Sequence, residues 1–423
     1  MEDRRIGIGD ISVYIPAPEI HLDELLEHRV RQRPDLERRL RRAVESTGQI
    51  SIRYPELWED AATLSAEAVR TLVDQGNDLR GTRYLAVGTE TGVDHSKPIA
   101  AYVQGMMHQS DASIPGSVST FQVQHACAGG TIAMLSVGAL LQAAGRDNEQ
   151  GLVICSDIAR YDVPSTAEIT QGAGSVGLLI EGNPRLLELD ITTQGYASQD
   201  VDDFFRPLGS TTAKVKGGYS VQCYNEALEA AFDDHATRLE MDPKELLLST
   251  DLFVLHVPFY RMALTALHRL IHKYTGYDAA AIDAMLVERG FDASLQPIRR
   301  IGNIYSGSAY MALYFLLEQQ YRKHGSDIVG KRLMLGSYGS GNTMIVLSAR
   351  VADGAPEVIR KWNVDRVLNG GRHADLPTYE QFIEAPLRPD EYAKRLDVNA
   401  IPAGSFYLSG VREDGYREYV YKR

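Results

Sequence analysis

Short apolar runs alternate along this chain with longer stretches of helical period. The run "RIGIGDISVYIP" alternates apolar and polar positions and stops at Pro16, which predicts a strand. Leu22 to Glu45 is charged with helical periodicity, and Trp58 to Gln75 predicts a second helix. "RYLAVGTE" reads as a buried strand ending at a turn, followed by a helix from Lys97 to Met107. "FQVQHA" is a strand and Thr131 to Ala144 a long apolar helix. "GLVICSDIA", "AGSVGLLIEG" and "LLELDITTQ" are three more strands, the last two separated by the turn dipeptide Asn183-Pro184.

The second half repeats the rhythm. Cys223 to Leu239 is helical, "DLFVLHVPF" a strand, and Arg261 to His272 a helix. "IGNIYSGSAYMALYFLLEQQYRKHG" gives a short strand or loop, a turn and a helix. "KRLMLGSYGSGNTMIVLSARV" gives a strand, a glycine-rich turn and a returning strand. Helices alternating with short apolar strands indicate an α/β architecture with covered sheets. The repeated element order implies duplication, with the first half over 1–185 and the second over 186–423. The polar tail after Val351 matches no element clearly.

At 423 residues, 44% apolar and 24% charged, the chain can bury a large core without staples. Cys127, Cys155 and Cys223 are too scattered for a disulfide framework or a metal site. That usage fits a reducing, cytoplasmic compartment. The start lacks the apolar core of a signal peptide, and no apolar run reaches the roughly 20 residues a membrane span needs. A net charge of −12 argues against a nucleic-acid-binding surface and fits solubility. No phosphate-cradling G-x-G-x-x-G opens a helix.

Cys127 stands where a strand gives way to a helix, with Gly129 and Gly130 behind it. A helix N-terminus favours a thiolate, so the thiol should titrate below its usual value of about 8.5. A small buried residue at a tight junction explains the same cysteine, and Cys155 inside "GLVICSDIA" is better explained that way. Three other predicted strand ends carry polar groups: Glu90 in "VGTETGVDHSK", His256 in "LHVPFYRMAL" and Ser340 in "GSYGSGN". The turn "GNIYSGS" adds Asn303. Open α/β sheets build sites at such ends. Alone, Glu90 also reads as a helix-terminus charge and His256 as a satisfied core histidine.

Taken together these segments resemble the 3-hydroxy-3-methylglutaryl-CoA synthase family of the thiolase superfamily. "VGTETGVDHSK" is similar to that family's glutamate-bearing turn and "ACAGGT" to its nucleophile segment. "SDIARYDVPSTAEITQGAGSV" and "DFFRP" resemble two further signatures, and "LHVPF", "GNIYSGS" and "SYGSGN" complete the order. The resemblance implies a thiolase-like five-layered α-β-α-β-α fold from two duplicated halves, assembled as a homodimer. It implies that Cys127 is acylated, Glu90 is the general acid/base, and His256 aligns the second substrate. Asn303 would help His256 polarise the acceptor carbonyl. Asp94, Asp157 and Asp203 match an acidic hydrogen-bond network. Tyr161, Thr170 and Ser340 match the acyl pocket or oxyanion region. Arg261 aligns where the family often has a lysine near the CoA phosphates, and Thr265 where it has a second.

The implied reaction condenses acetyl-S-Cys127 with acetoacetyl-CoA, giving HMG-CoA and free CoA, with no metal and no cofactor beyond the CoA thioesters. Two departures stand out. His125 replaces an acidic residue before Ala-Cys, and Ala128 replaces an aromatic one after it. "HACAGG" also resembles ketoacyl-acyl-carrier-protein synthase III. A pocket widened at Ala128 is then expected. The alternatives are β-branching of thioesters held on acyl carrier protein in polyketide synthesis, or a ketoacyl synthase III-like acyltransferase, which would dispense with Glu90.

Overall fold

The computed structural model describes residues 5–112, 114–384 and 388–423. Five strands of the first half form one end of a sheet: β1 (Ile6–Tyr14), β2 (Thr82–Gly88), β3 (Ser119–Val123), β4 (Gln150–Ile158) and β5 (Ala173–Gly182). Their spatial order is β3-β2-β4-β5-β1. The sheet continues through β6 (Leu187–Leu189), which pairs with both β1 and β10 (Thr343–Val351). Beyond it lie β9 (Arg332–Gly339) and β8 (Leu252–Leu255), while β7 (Gly195–Ser198) also pairs with β10.

The two halves pair alike. β2 is parallel to β4, β4 antiparallel to β5, and β5 antiparallel to β1. In the second half β8 is parallel to β9, β9 antiparallel to β10, and β10 antiparallel to β7. The counterpart of edge strand β3 is irregular: the segment before "SGS" forms a loop rather than a strand.

Six helices complete the layers. α1 (Ala61–Asp74) and α2 (Ile99–Met107) cover the outer face of the first-half sheet. α3 (Gly129–Ala144) and α6 (Ser308–His324) form a central layer, joined by a 2.8 Å hydrogen bond between Thr131 Oγ1 and Tyr310 OH. α4 (Gly217–Arg238) packs on the second-half strands and α5 (Tyr260–Thr275) on α4. This is the α-β-α-β-α layering. The apolar 19-residue stretch Ala126–Ala144 has the length and composition of a membrane span, yet it is 56% buried as a core helix.

Several local differences have physical causes. The predicted helix over Leu22–Glu45 is two, Leu22–Gln32 and Glu37–Thr47, because Pro34 restricts Arg33 and removes a donor. α4 starts six residues before Cys223, at a glycine pair that hides its N-terminus in the pattern. The unassigned tail holds short helices and a hairpin, Ser405–Val411 with Arg417–Lys422. That hairpin docks on α1. Glu67 accepts from Phe406 N at 2.7 Å, while Arg417 and Tyr419 hold Asp60 at 2.6 and 2.7 Å. The tail of the second half is thus structural material for the first.

Candidate active site

The site begins with two backbones in contact. A Cβ on Gly88, at the end of β2, would lie 2.3 Å from Gly130 N, so only glycine lets β2 meet the start of α3. The chain after Gly88 carries Glu90, and the chain before Gly129 carries Cys127. Their side chains meet, with Cys127 Sγ 3.9 Å from Glu90 Oε1. Ala126 holds φ = 40°, a strained turn that presents the sulfur.

Burial pushes the Cys127 thiol well up, and Glu90, Asp157 and Asp203 push it further; Arg206 opposes them. The thiol expected to be acidic at a helix N-terminus is therefore the reverse, because the surrounding low dielectric and negative charge outweigh the helix end. Burial also raises the Glu90 carboxyl, with Asp157 adding to it, to about 8. Arg206 pulls it down, its Nη2 being 3.6 Å from Glu90 Oε2 and its Nη1 donating to Glu90 O at 3.1 Å. Its guanidinium also lies 5.9 Å from the Tyr305 ring centroid. Arg206 was not among the candidates named from sequence. It stood in the quoted "DFFRP", but only the fold shows what it faces.

A cavity of about 660 Å³ opens over Cys127. Tyr161, Thr170, His256, Arg261, Asn303 and Ser340 all line it, as do Phe204 and Tyr305. Tyr161, Phe204 and Tyr305 pack edge to face around the sulfur, their neighbouring centroids 6.3 and 5.8 Å apart. His256 follows β8, and its imidazole is buried and held neutral, its pKa lowered to about 3 by desolvation. Its Nδ1 has no partner among the described residues. Asn303 Oδ1 accepts from Tyr305 N at 2.8 Å and Ser308 Oγ at 2.9 Å, leaving the amide NH₂ as its free end. Ser340 sits in the β9–β10 turn. A Cβ on Gly339 would come within 2.5 Å of His125 O, so this turn rests directly on the nucleophile turn.

Three acidic candidates do not reach the cavity as substrate ligands. Asp157 is fully buried and spends both oxygens on protein. Oδ1 accepts from Thr89 Oγ1, Glu90 N and Thr91 Oγ1, and Oδ2 from Ser306 N and Ser306 Oγ. It fastens the Glu90 turn to the Tyr305–Gly307 turn. Asp203 likewise accepts from Ser220 Oγ, Tyr338 OH and Gly341 N. Asp94 caps its own turn through Ser96 N and Lys97 N. Asp157 and Asp203, buried and turned to protein donors, position the site rather than bind a ligand. Ala128 is also displaced from its expected role: it is fully buried under Gly339 and does not widen the cavity. Cys155 is packed in β4 against Gly130. Among the described residues no His, Cys, Asp or Glu cluster could hold a metal ion.

Residues 2–184 match the family model for the N-terminal part of hydroxymethylglutaryl-coenzyme A synthase, and 279–422 match the model for its C-terminal part. Hydroxymethylglutaryl-CoA synthase of Enterococcus faecalis is 27% identical, over 91% of this chain and 93% of that protein. A solved structure of MvaS in complex with 3-hydroxy-3-methylglutaryl coenzyme A is 30% identical, with a TM-score of 0.84 and full coverage of both chains. The curacin-pathway HMG synthase, solved with holo donor-ACP, shares the fold at 23% identity, with a TM-score of 0.83 over 99% of this chain and 100% of that one. With both family models matched in order and the cysteine, glutamate and histidine gathered at one site, the chain belongs to the hydroxymethylglutaryl-CoA synthase family of carbon–carbon bond-forming acyltransferases.

Proposed function

We propose that the chain transfers an acetyl group from acetyl-CoA to Cys127 and condenses it with acetoacetyl-CoA, giving HMG-CoA and free CoA. The 3.9 Å approach of sulfur to carboxylate at the cavity floor carries this reading. In the first step sulfur attacks the thioester carbon, and the thiol proton ends on the departing CoA sulfur. In the second, Glu90 takes a proton from the acetyl methyl as the enolate attacks the acceptor ketone. Glu90 then returns that proton to the new alkoxide, while neutral His256 and the Asn303 amide hold the ketone oxygen. Water finally hydrolyses the thioester bond to Cys127.

Cys127 is the nucleophile, Glu90 the acid/base and His256 the aligner. Tyr161, Thr170, Asn303 and Ser340 shape the acyl space, and Arg261 stands at the mouth. A thioester is already activated, so no cofactor enters this scheme. The same proposal makes the protein a cytoplasmic homodimer that binds neither nucleic acid nor membrane. Three free cysteines suit a reducing compartment, and among the described residues β3 is an edge strand paired on one side only.

Isotopic acetyl-CoA should label Cys127, and acetoacetyl-CoA should then discharge the label as a branched product seen by mass spectrometry. Glu90→Gln should still accept the label but lose at least 100-fold in condensation. A ketoacyl synthase-like enzyme would instead condense undiminished in that variant, and this outcome would sink the proposal.

A further inference from the structure

A second cavity, of about 450 Å³, opens on the side of the molecule away from Cys127. β9 runs from Arg332 at this cavity to Gly339 beside the nucleophile turn, a span of roughly 23 Å at the rise of a strand. The chain after α4 supplies apolar walls through Leu239, Met241 and Leu246, joined by Ile191.

Arg332 and Arg350 also line the cavity, and both are exposed. They lie directly opposite each other on β9 and β10, so their side chains leave the same face of the sheet. Like charges so placed destabilise a sheet. The fold does little to offset them. Asp251 is engaged by the Arg332 backbone N–H, at 2.8 Å, and not by the guanidinium, which has no ion pair or hydrogen bond to any described residue. Arg350 Nη1 has one long hydrogen bond, 3.5 Å to Gly330 O. The carboxylates of the cavity have other partners. Glu188 is ion-paired with Arg5, and Asp190 accepts from the N–H and Oγ1 of both Thr192 and Thr193.

Two guanidinium groups without a counter-charge, beside an apolar chamber, suit a ligand with a compact anion at one end and hydrocarbon at the other. Paired cations match a dianion better than a single charge, and the planar fork of arginine fits phosphate oxygens. At roughly 30 Å³ per water-sized group, the volume accepts a phosphate carrying a chain of about eight carbons. We propose that this cavity binds an aliphatic phosphate ester, its phosphate between Arg332 and Arg350 and its chain against Leu239, Met241 and Leu246. The site is separate from the acyl cavity and does not rest on the thioester chemistry proposed above.

The test titrates octyl phosphate into the whole protein by calorimetry, below the concentration at which it forms micelles. Inorganic phosphate, octanol and octanoate are the comparison probes. The variants are Arg332→Gln/Arg350→Gln, Arg332→Lys/Arg350→Lys and, at the acyl cavity, Arg261→Gln, each checked for folding by circular dichroism. Octyl phosphate should bind wild type at one site, at least about 10-fold more tightly than any comparison probe. The Gln pair should weaken it about 10-fold or more, and the Lys pair should keep most of the affinity. Arg261→Gln should leave it unchanged. Inorganic phosphate binding as tightly would remove the chain from the assignment, and octanoate binding as tightly would remove the phosphate; either overturns the proposal. So would no binding of octyl phosphate, an affinity unmoved in the Gln pair, or a loss in Arg261→Gln, which would put the probe in the acyl cavity.

Discussion

Glu90 is poised by two opposing neighbours, the Asp157 carboxylate behind it and the Arg206 guanidinium beside it. Only the ionised form can abstract a proton. With its pKa raised to about 8, condensation should rise with pH through that value and level off above it. Arg206→Gln removes the cation that favours the ionised form, so the rising limb should move to higher pH, while Arg206→Lys should leave it nearly in place. A pH profile of single-turnover condensation checks this. An unmoved profile in Arg206→Gln would show that the ion pair does not tune the base. At this scale the sequence displayed residue types but not surroundings. Cys127, Glu90 and His256 stood out because each lies at a predicted strand end inside a motif that resembles the family's; taken alone, each also read as an ordinary structural residue. Arg206, the bracing role of Asp157 and the raised thiol did not stand out, since each depends on what distant segments place opposite.

Among the elements, the C-terminal hairpin is held by a buried carboxyl. Glu67 on α1 accepts from Phe406 N, and burial raises its pKa from 4.5 to about 7. A group raised on folding adds stability that is complete below its unfolded value and fades as pH climbs through the folded one. Stability should therefore decline between about pH 4.5 and 7. Glu67→Gln keeps an acceptor without the buried charge. It should flatten that decline and stabilise the protein at pH 8 by on the order of 2 kcal/mol, visible in denaturant midpoints at pH 5 and 8. A variant less stable than wild type at pH 8 would contradict the account. The helices and strands that pack by simple periodicity were readable from the pattern. The hairpin was not, because "SFYLSGV" and "REYVYK" are short and gain their burial only by resting on α1.

The whole molecule is two related halves with a shared sheet and a shared core. β6 hydrogen-bonds strands of both halves, and one apolar cluster runs from Ile6 through Phe232 to Val364. The tail after Val351 returns to the first half. The division at residue 185 that the repeated pattern suggests therefore marks a repeat in topology, not a separable unit. Denaturation should be one transition, reported alike by tryptophan fluorescence and far-UV circular dichroism, with a midpoint that rises with protein concentration if the dimer is present. Two resolved transitions would mean that the halves are independent.

The duplicated topology has a chemical consequence. Glu90 and His256 follow equivalent strands, β2 and β8, while Cys127 and Asn303 precede equivalent helices, α3 and α6. Those two helices aim their N-termini toward one cavity, and each end carries about half a positive charge from its aligned peptide dipoles. Neither repeat could offer that field alone. Their union sets two helix ends against the carboxylates and low dielectric of the floor, so an enolate formed at sulfur and an alkoxide formed across from it each find a positive end that the rest of the site withholds.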